Sequence, residues 1–149
     1  MSMDREKSPT TVINHLSRLL THTLNDQLKS HGVAPGQFPV LLCLWEQDGL
    51  TQRELYERVK IEQATMSNTL KRMERDCLIF REPDPKDRRA MRIHLTGMAK
   101  ELEAKLTKGA KSVHKAAFDG IKKKERKHLM EMLSHMGKNL EKAAAKAPK

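Results

Sequence analysis

Residues 84–96 read DPKDRRAMRIHLT, with five charged side chains in the first six positions and then apolar and polar residues in alternation up to a threonine. Charge packed this densely beside a strand is either ordinary solvated surface or a means of recognising something negatively charged. Arg88 and Arg89, on a short tip, can enter a minor groove and meet its negative potential. Asp87 is suited to a supporting role, either accepting hydrogen bonds from the loop backbone or pairing with an arginine of the preceding helix. A second group lies just upstream, in Gln63, Ala64, Thr65, Ser67, Asn68, Lys71, Arg72 and Arg75. Short polar groups come first and cations later. Asn and Gln can bond adenine edges at two points, and Lys and Arg can reach phosphates.

The elements that must carry these groups follow from periodicity. Ser8-Pro9-Thr10 opens a helix whose apolar residues Val12, Ile13, Leu16, Leu19, Leu20, Leu24 and Leu28 recur at three- and four-residue steps as far as His31-Gly32. GVAPGQF is turn chemistry, and PVLLCLWEQDG reads as a nearly all-apolar, buried second helix ending at Asp48-Gly49. Thr51 and Glu54 stand in the T-x-x-E spacing of a capping box, so a third helix starts there. Leu55 and Val59 give it an inner face, Lys60-Ile61 makes a tight turn, and a fourth helix turns Met66, Leu70 and Met73 inward. LIFREP and MRIHL then change the period to two, predicting a pair of strands joined by the charged loop. Helical spacing returns from Thr96 through Met98, Leu102, Leu106 and Val113 to Gly120. It resumes in Leu129, Met132, Leu133, Met136 and Leu140, and the chain frays in AAAKAPK.

Two short helices with a tight turn, over residues 51–75, make a helix-turn-helix whose second helix can enter a major groove, N-terminus first. Thr51 and Gln52, at the start of the first of the two, join the candidate DNA contacts. A two-stranded wing directly after such a unit places its tip beside the duplex.

Composition narrows the partner without locating the site. The formal charge of +10 favours a polyanion, yet residues 1–50, 51–95 and 96–149 contribute −1, +3 and +8, so bulk charge is concentrated away from the motif. Aromatics make up 3% of the chain and methionines number 9, which suits helices rather than a β-sandwich. Two cysteines make no disulfide framework: Cys43 reads as a small core residue, while Cys77 leaves redox sensing open. No stretch is long and apolar enough for a membrane span, and MSMDREKSPTT lacks the apolar core of a signal peptide; a soluble cytoplasmic protein is expected. His15 and His22, like His128 and His135, are seven residues apart, about 10 Å along a helix and too far for one ion. No nucleophile and base stand together either, so neither an enzyme nor a metal or other cofactor is expected.

The stretch LTQRELYERVKIEQATMSNTLKRMERDCLIFREPDPKDRRAMRIHLT resembles the core of the MarR (multiple antibiotic resistance regulator) winged-helix family. The D-x-R wing falls on Asp87 and Arg89, and the leucine-threonine after it on Leu95-Thr96. The likeness extends to GQFPVLLCLWE before it and FDGIKKKERKHLMEML after it. It implies a mostly α fold with a small β-hairpin wing. Residues 1–34 and 97–149 would be dimerisation helices, and 35–96 the winged helix-turn-helix. It also implies a homodimeric repressor on a pseudo-palindromic operator, with residues 63–75 as the recognition helix. A small amphipathic or phenolic effector would release it, from a pocket that His15, Leu19, Phe38 and Trp45 could line. Three positions depart from the family pattern. Lys60 and Cys77 stand where glycines are common, so the backbone at Lys60 is either not left-handed or modestly strained. Lys122-Lys123-Lys124 opens a helix whose dipole disfavours cations.

Two further readings stay open: a helical protein-interaction module docking on an acidic partner, and a sequence-indifferent DNA-coating protein driven by the lysine-rich C-terminal half.

Overall fold

The computed structural model describes residues 8–146. Six α-helices and three short strands follow one another: α1 Pro9–Lys29, α2 Phe38–Glu46, β1 Leu50–Thr51, α3 Gln52–Val59, α4 Gln63–Arg75, β2 Ile79–Pro83, β3 Met91–Leu95, α5 Gly97–Ala117 and α6 Lys123–Lys146. The chain divides into two compact units at Val113 and His114, within α5.

In the first unit, α1 carries Pro9 in its first turn, where the missing N–H costs nothing. Pro35–Gln37 form a single 3-10 turn before α2. Helix α2 stops at Glu46, two residues short of the expected Asp48-Gly49, and its Val40, Leu41 and Leu44 are buried at the centre of the core. That core also takes in Leu28 of α1, Leu55 of α3, Met66, Leu70 and Met73 of α4, Leu50, Ile79, Ile93 and Leu95 of the sheet, and Ala99, Leu106 and Ala110 of α5. The inward stripe of α4 is therefore the one its spacing dictates.

The sheet contains the two expected strands, β2 and β3, and adds a third, β1. Its order is β1-β3-β2, all antiparallel: Leu50 faces Ile93 in β3, and Ile93 faces Arg81 in β2. A strand of two residues offers no period to read. Gly49, just before it, has φ +75°, and a Cβ there would lie 2.9 Å from the His94 ring, so both conformation and space call for glycine.

Lys60 and Cys77, by contrast, occupy left-handed backbone without being glycine, at φ 56° and 58°. The strained alternative is the one adopted. At Cys77 the turn is a Schellman closure, in which Leu78 N–H bonds to Met73 O and Cys77 N–H to Glu74 O, with Leu78 buried behind it.

In the second unit α6 begins at Lys123, and the Lys122 N–H donates to the Glu125 carboxylate, an acidic group in the first turn that offsets the lysine run. Arg126 lies over the Phe118 ring and donates to the Phe118 and Ile121 carbonyls. Ala143–Lys146 remain helical rather than frayed, and the last three residues lie outside those described. None of the described residues of α6 is buried: Met130, Met132, Leu133, Met136 and Leu140 are all exposed.

Because glycine relieves left-handed strain but loses more freedom on folding, Cys77→Gly should raise the unfolding free energy by about 0.5–1 kcal/mol. Cys77→Val should lower it by about 1 kcal/mol or more, since a β-branched residue fits this region worst. Urea titrations of the two variants would show midpoints moving in opposite directions.

Candidate nucleic-acid interface

Helix α3 is started by Thr51. Its hydroxyl accepts from the Glu54 N–H at 3.2 Å while the Glu54 carboxylate accepts from the Thr51 N–H at 2.7 Å, the reciprocal pair that the T-x-x-E spacing predicts. These bonds hold the Glu54 carboxyl below the usual carboxylate range, the Thr51 backbone being the main cause. They also engage the Thr51 hydroxyl, leaving it less free for an outside contact.

On α4, Gln63, Ala64, Thr65, Asn68, Lys71, Arg72 and Arg75 are exposed and Ser67 is half-buried, opposite the buried Met66, Leu70 and Met73. Glu62, at the N-cap, makes no side-chain capping bond, so the first amides of α4 have no side-chain cap, although the Glu62 carboxylate partly offsets the positive end of the helix dipole. Gln52, Gln63, Ala64 and Ser67 come together around an open depression of about 470 Å³ between the starts of α3 and α4. Arg53 and Tyr56 also line it, and sequence reading passed over both. Their signal was faint: on an amphipathic helix they look like ordinary solvated positions.

Arg75 is less available than its position suggests. Its Nε donates to Asp76 Oδ1 at 2.9 Å, and the other Asp76 oxygen accepts from the buried Gln37. The Arg75 bond, with that from Gln37 second, holds the Asp76 carboxyl low. Gln52 accepts a hydrogen bond from Arg81 of β2.

The wing tip is built on two aspartates. Pro83 and Met91 are the last strand pair, and Asp84 N–H to Ala90 O and Ala90 N–H to Asp87 O close the loop beyond them. Asp87 Oδ1 accepts from the Arg89 N–H at 3.0 Å, the backbone alternative of the two expected for it. Asp84, buried at 6% exposure, does more: it accepts from the Lys86 and Asp87 amides at 2.7 and 3.1 Å and pairs with Arg92 Nε at 2.6 Å. Arg92 in turn donates to Gly49 O at 2.8 Å. Sequence reading assigned the support to Asp87 alone, because nothing in the loop distinguishes a buried aspartate from an exposed one. Arg88 and Arg89 are left exposed at the tip, in no ion pair among the described residues.

Thr96 locks the wing base to the end of α4. Its hydroxyl donates to Cys77 O at 2.7 Å and accepts from the Ala99 N–H at 3.2 Å, opening α5.

The four effector-pocket candidates are not gathered in the same way. Phe38 is buried and meets Trp45 edge-on at 6.2 Å, with Trp45 Nε1 donating to Ala99 O, whereas His15 and Leu19 lie exposed on α1. Cys43 is half-buried, and burial pushes its thiol up, away from reactivity; Cys77 is exposed. No cluster of three metal-capable side chains occurs among the described residues, and no helix there is long and apolar enough to cross a membrane.

The comparisons with known proteins agree with this geometry. The MarR family profile matches residues 33–91, from the end of the first turn region to the return strand of the wing. A MarR transcriptional regulator from Methanosarcina mazei Go1 superposes with a TM-score of 0.79 at 28% identity, over 90% of this chain and 96% of that one. This winged-helix region belongs to the MarR family. Among curated relatives, the HTH-type transcriptional regulator TtmR of Methylorubrum extorquens is 31% identical over 73% of this chain and 55% of that protein. A MarR-family regulator from Listeria monocytogenes, solved with a 26-mer DNA, shares the fold with a TM-score of 0.83 at 23% identity, over 90% and 89% of the two chains. The MarR fold places the D-x-R residues of this chain, Asp87 and Arg89, on the wing tip, and MarR proteins are transcriptional regulators rather than enzymes.

The Asp84 carboxyl is held below the usual range, first by the Lys86 amide, then by that of Asp87, against burial and with help from Arg92. Its folded value thus lies below the unfolded one of about 3.9, so the wing order it supplies is complete above about pH 5 and is lost as pH falls through 4 toward the folded value. Amide NMR shifts of Lys86 and Asp87 should report a midpoint below 3.9, and Asp84→Asn should abolish that transition.

Proposed function

We propose that this MarR-family regulator is a sequence-specific double-stranded DNA-binding homodimer, a cytoplasmic repressor that occupies a pseudo-palindromic operator and is released by a small amphipathic or phenolic effector. The observation that carries the reading is a cation-bearing tip held by bonds to the buried Asp84, beside a helix whose back is packed in the core and whose front is polar. Such a pair can enter adjacent grooves without paying to become ordered. The Listeria relative solved with a 26-mer DNA supports the partner. Residues 35–96 are assigned to DNA, with Thr51, Gln52, the outward residues of α4, Arg88 and Arg89 as contacts and Asp87 with Asp84 as support.

Dimerisation is assigned to residues 1–34 and 97–149. Val12, Ile13, Leu16 and Leu19 on α1 and Met132, Leu133, Met136 and Leu140 on α6 are each more than a third exposed in the single chain. An apolar stripe left in water on two long helices calls for a second copy. The effector reading rests on the family and on the aromatic pair Phe38 and Trp45, with His15 and Leu19 of α1 as the other wall.

Removal of Arg89 as Arg89→Ala should weaken a selected duplex by about 1–3 kcal/mol and relax preference where the wing lies, and Asn68→Ala should relax preference in the half-site core. Selection from random duplexes followed by titration at fixed salt reads both. Salt-dependent binding with no selected sequence would instead favour DNA coating, and affinity unchanged in both variants would favour an acidic protein as partner. Leu133→Glu should give a monomer with unchanged circular dichroism per residue and lost operator binding; a dimer by sedimentation would refute the assignment of α6.

A further inference from the structure

Gln52 is the first residue of α3, and it stands at the rim of the depression it shares with Gln63, Ala64 and Ser67. Its carbonyl oxygen accepts from Arg81 Nη1 at 3.3 Å, across 29 residues of sequence. Arg81 comes from the middle of β2, opposite Ile93, and its side chain is only 22% exposed. The same guanidinium lies 3.3 Å from the Glu74 carboxylate through Nε, off the N–H axis, so this second contact is an ion pair without a hydrogen bond. Arg81 is thus held from α4 on one side and grips the amide of α3 on the other.

A side-chain amide has one end that accepts and one that donates, and when unconstrained it turns over to suit its partner. Arg81 has only donors, so the Gln52 oxygen must face it and the amide nitrogen is the end left over. From this we infer that Arg81 is a positioning residue that fixes the polarity of Gln52. Gln52 then presents its amide N–H donors to the duplex and selects acceptor atoms there, phosphate oxygens, purine N7 or guanine O6. The inference rests on the DNA-binding reading above and adds to it the direction of one contact and the residue that sets it.

The test is a double-mutant cycle on the selected duplex at fixed salt, with wild type, Arg81→Met, Gln52→Ala and the double variant. Gln52→Ala should weaken binding by roughly three- to tenfold, the scale of one hydrogen bond, and Arg81→Met by a similar or smaller factor. In the Gln52→Ala background, Arg81→Met should change nothing further. An undiminished effect there overturns the inference, since Arg81 would then act by its own charge or by holding α4 through Glu74. Affinity unchanged from wild type in both single variants overturns it as well. Gln52→Glu, which keeps the acceptor and forms an ion pair with Arg81 but loses both donors, should fold normally and bind more weakly than Gln52→Ala; binding as tight as wild type would again overturn it. A wild-type protein that selects no duplex overturns the DNA-binding reading itself, whereas a selected duplex with an additive cycle overturns the latch alone.

Discussion

Strand β3 returns from the wing into the middle of the sheet, and that position is the constraint on which the interface depends. It pairs with β1 at the start of the helix-turn-helix and with β2 at the exit from α4, so one five-residue strand sets both ends of the recognition unit. Ile93 anchors it from the inside, fully buried against Leu50 and Ile79 in the same core. Arg92 holds it from the outside, bonded to Gly49 O and paired with Asp84. The wing is therefore no appendage: whatever its tip touches is mechanically tied to the turn from which α3 begins. The tight fit of Gly49 against His94 and the Thr96 bonds to Cys77 are two more points of the same tie.

Charge acquires meaning only once paired and unpaired groups are separated. The 29 basic residues are densest in the last third of the chain, and a count by segment would place a polyanion there. In the winged helix, Arg75, Arg81 and Arg92 are spent on Asp76, Glu74 and Asp84. Arg88 and Arg89 are not. A tethered guanidinium offers part of its field and few of its donors, so the modest surplus of +3 over residues 51–95 understates how selectively the free cations are placed.

What the sequence made legible was whatever repeats or is spaced. The inward stripe of α4 and the capping box of Thr51 and Glu54 are set by local spacing, and both stand as spacing predicts. The dense charge of the loop and its place directly after the helix-turn-helix marked Asp87, Arg88 and Arg89. Long-range partners left no such trace. Strand β1 is too short to show a period, and it exists because Leu50 meets Ile93 more than forty residues away. Asp84 sits three positions before Asp87 in the same charged run, and only the closure of the loop buries one and exposes the other. Gln52 could be marked as a candidate contact, but the arginine that orients its amide comes from a strand nearly thirty residues on.

The left-handed residues at Lys60 and Cys77 show how the recognition helix can be bracketed without glycine. Each is followed by an apolar residue that reaches the core, Ile61 after Lys60 and Leu78 after Cys77. The backbone strain at each is about 1 kcal/mol, whereas burying a side chain the size of leucine contributes about 2 kcal/mol. At Cys77 burial therefore exceeds strain, and it also selects a direction: a different backbone conformation there would move the buried Leu78 and break its N–H bond to Met73 O. A glycine would accept the same angle but also several others. With lysine and cysteine, the turns into and out of α4 are fixed by where the next residue must go, so the angle of the helix is set by the core behind it.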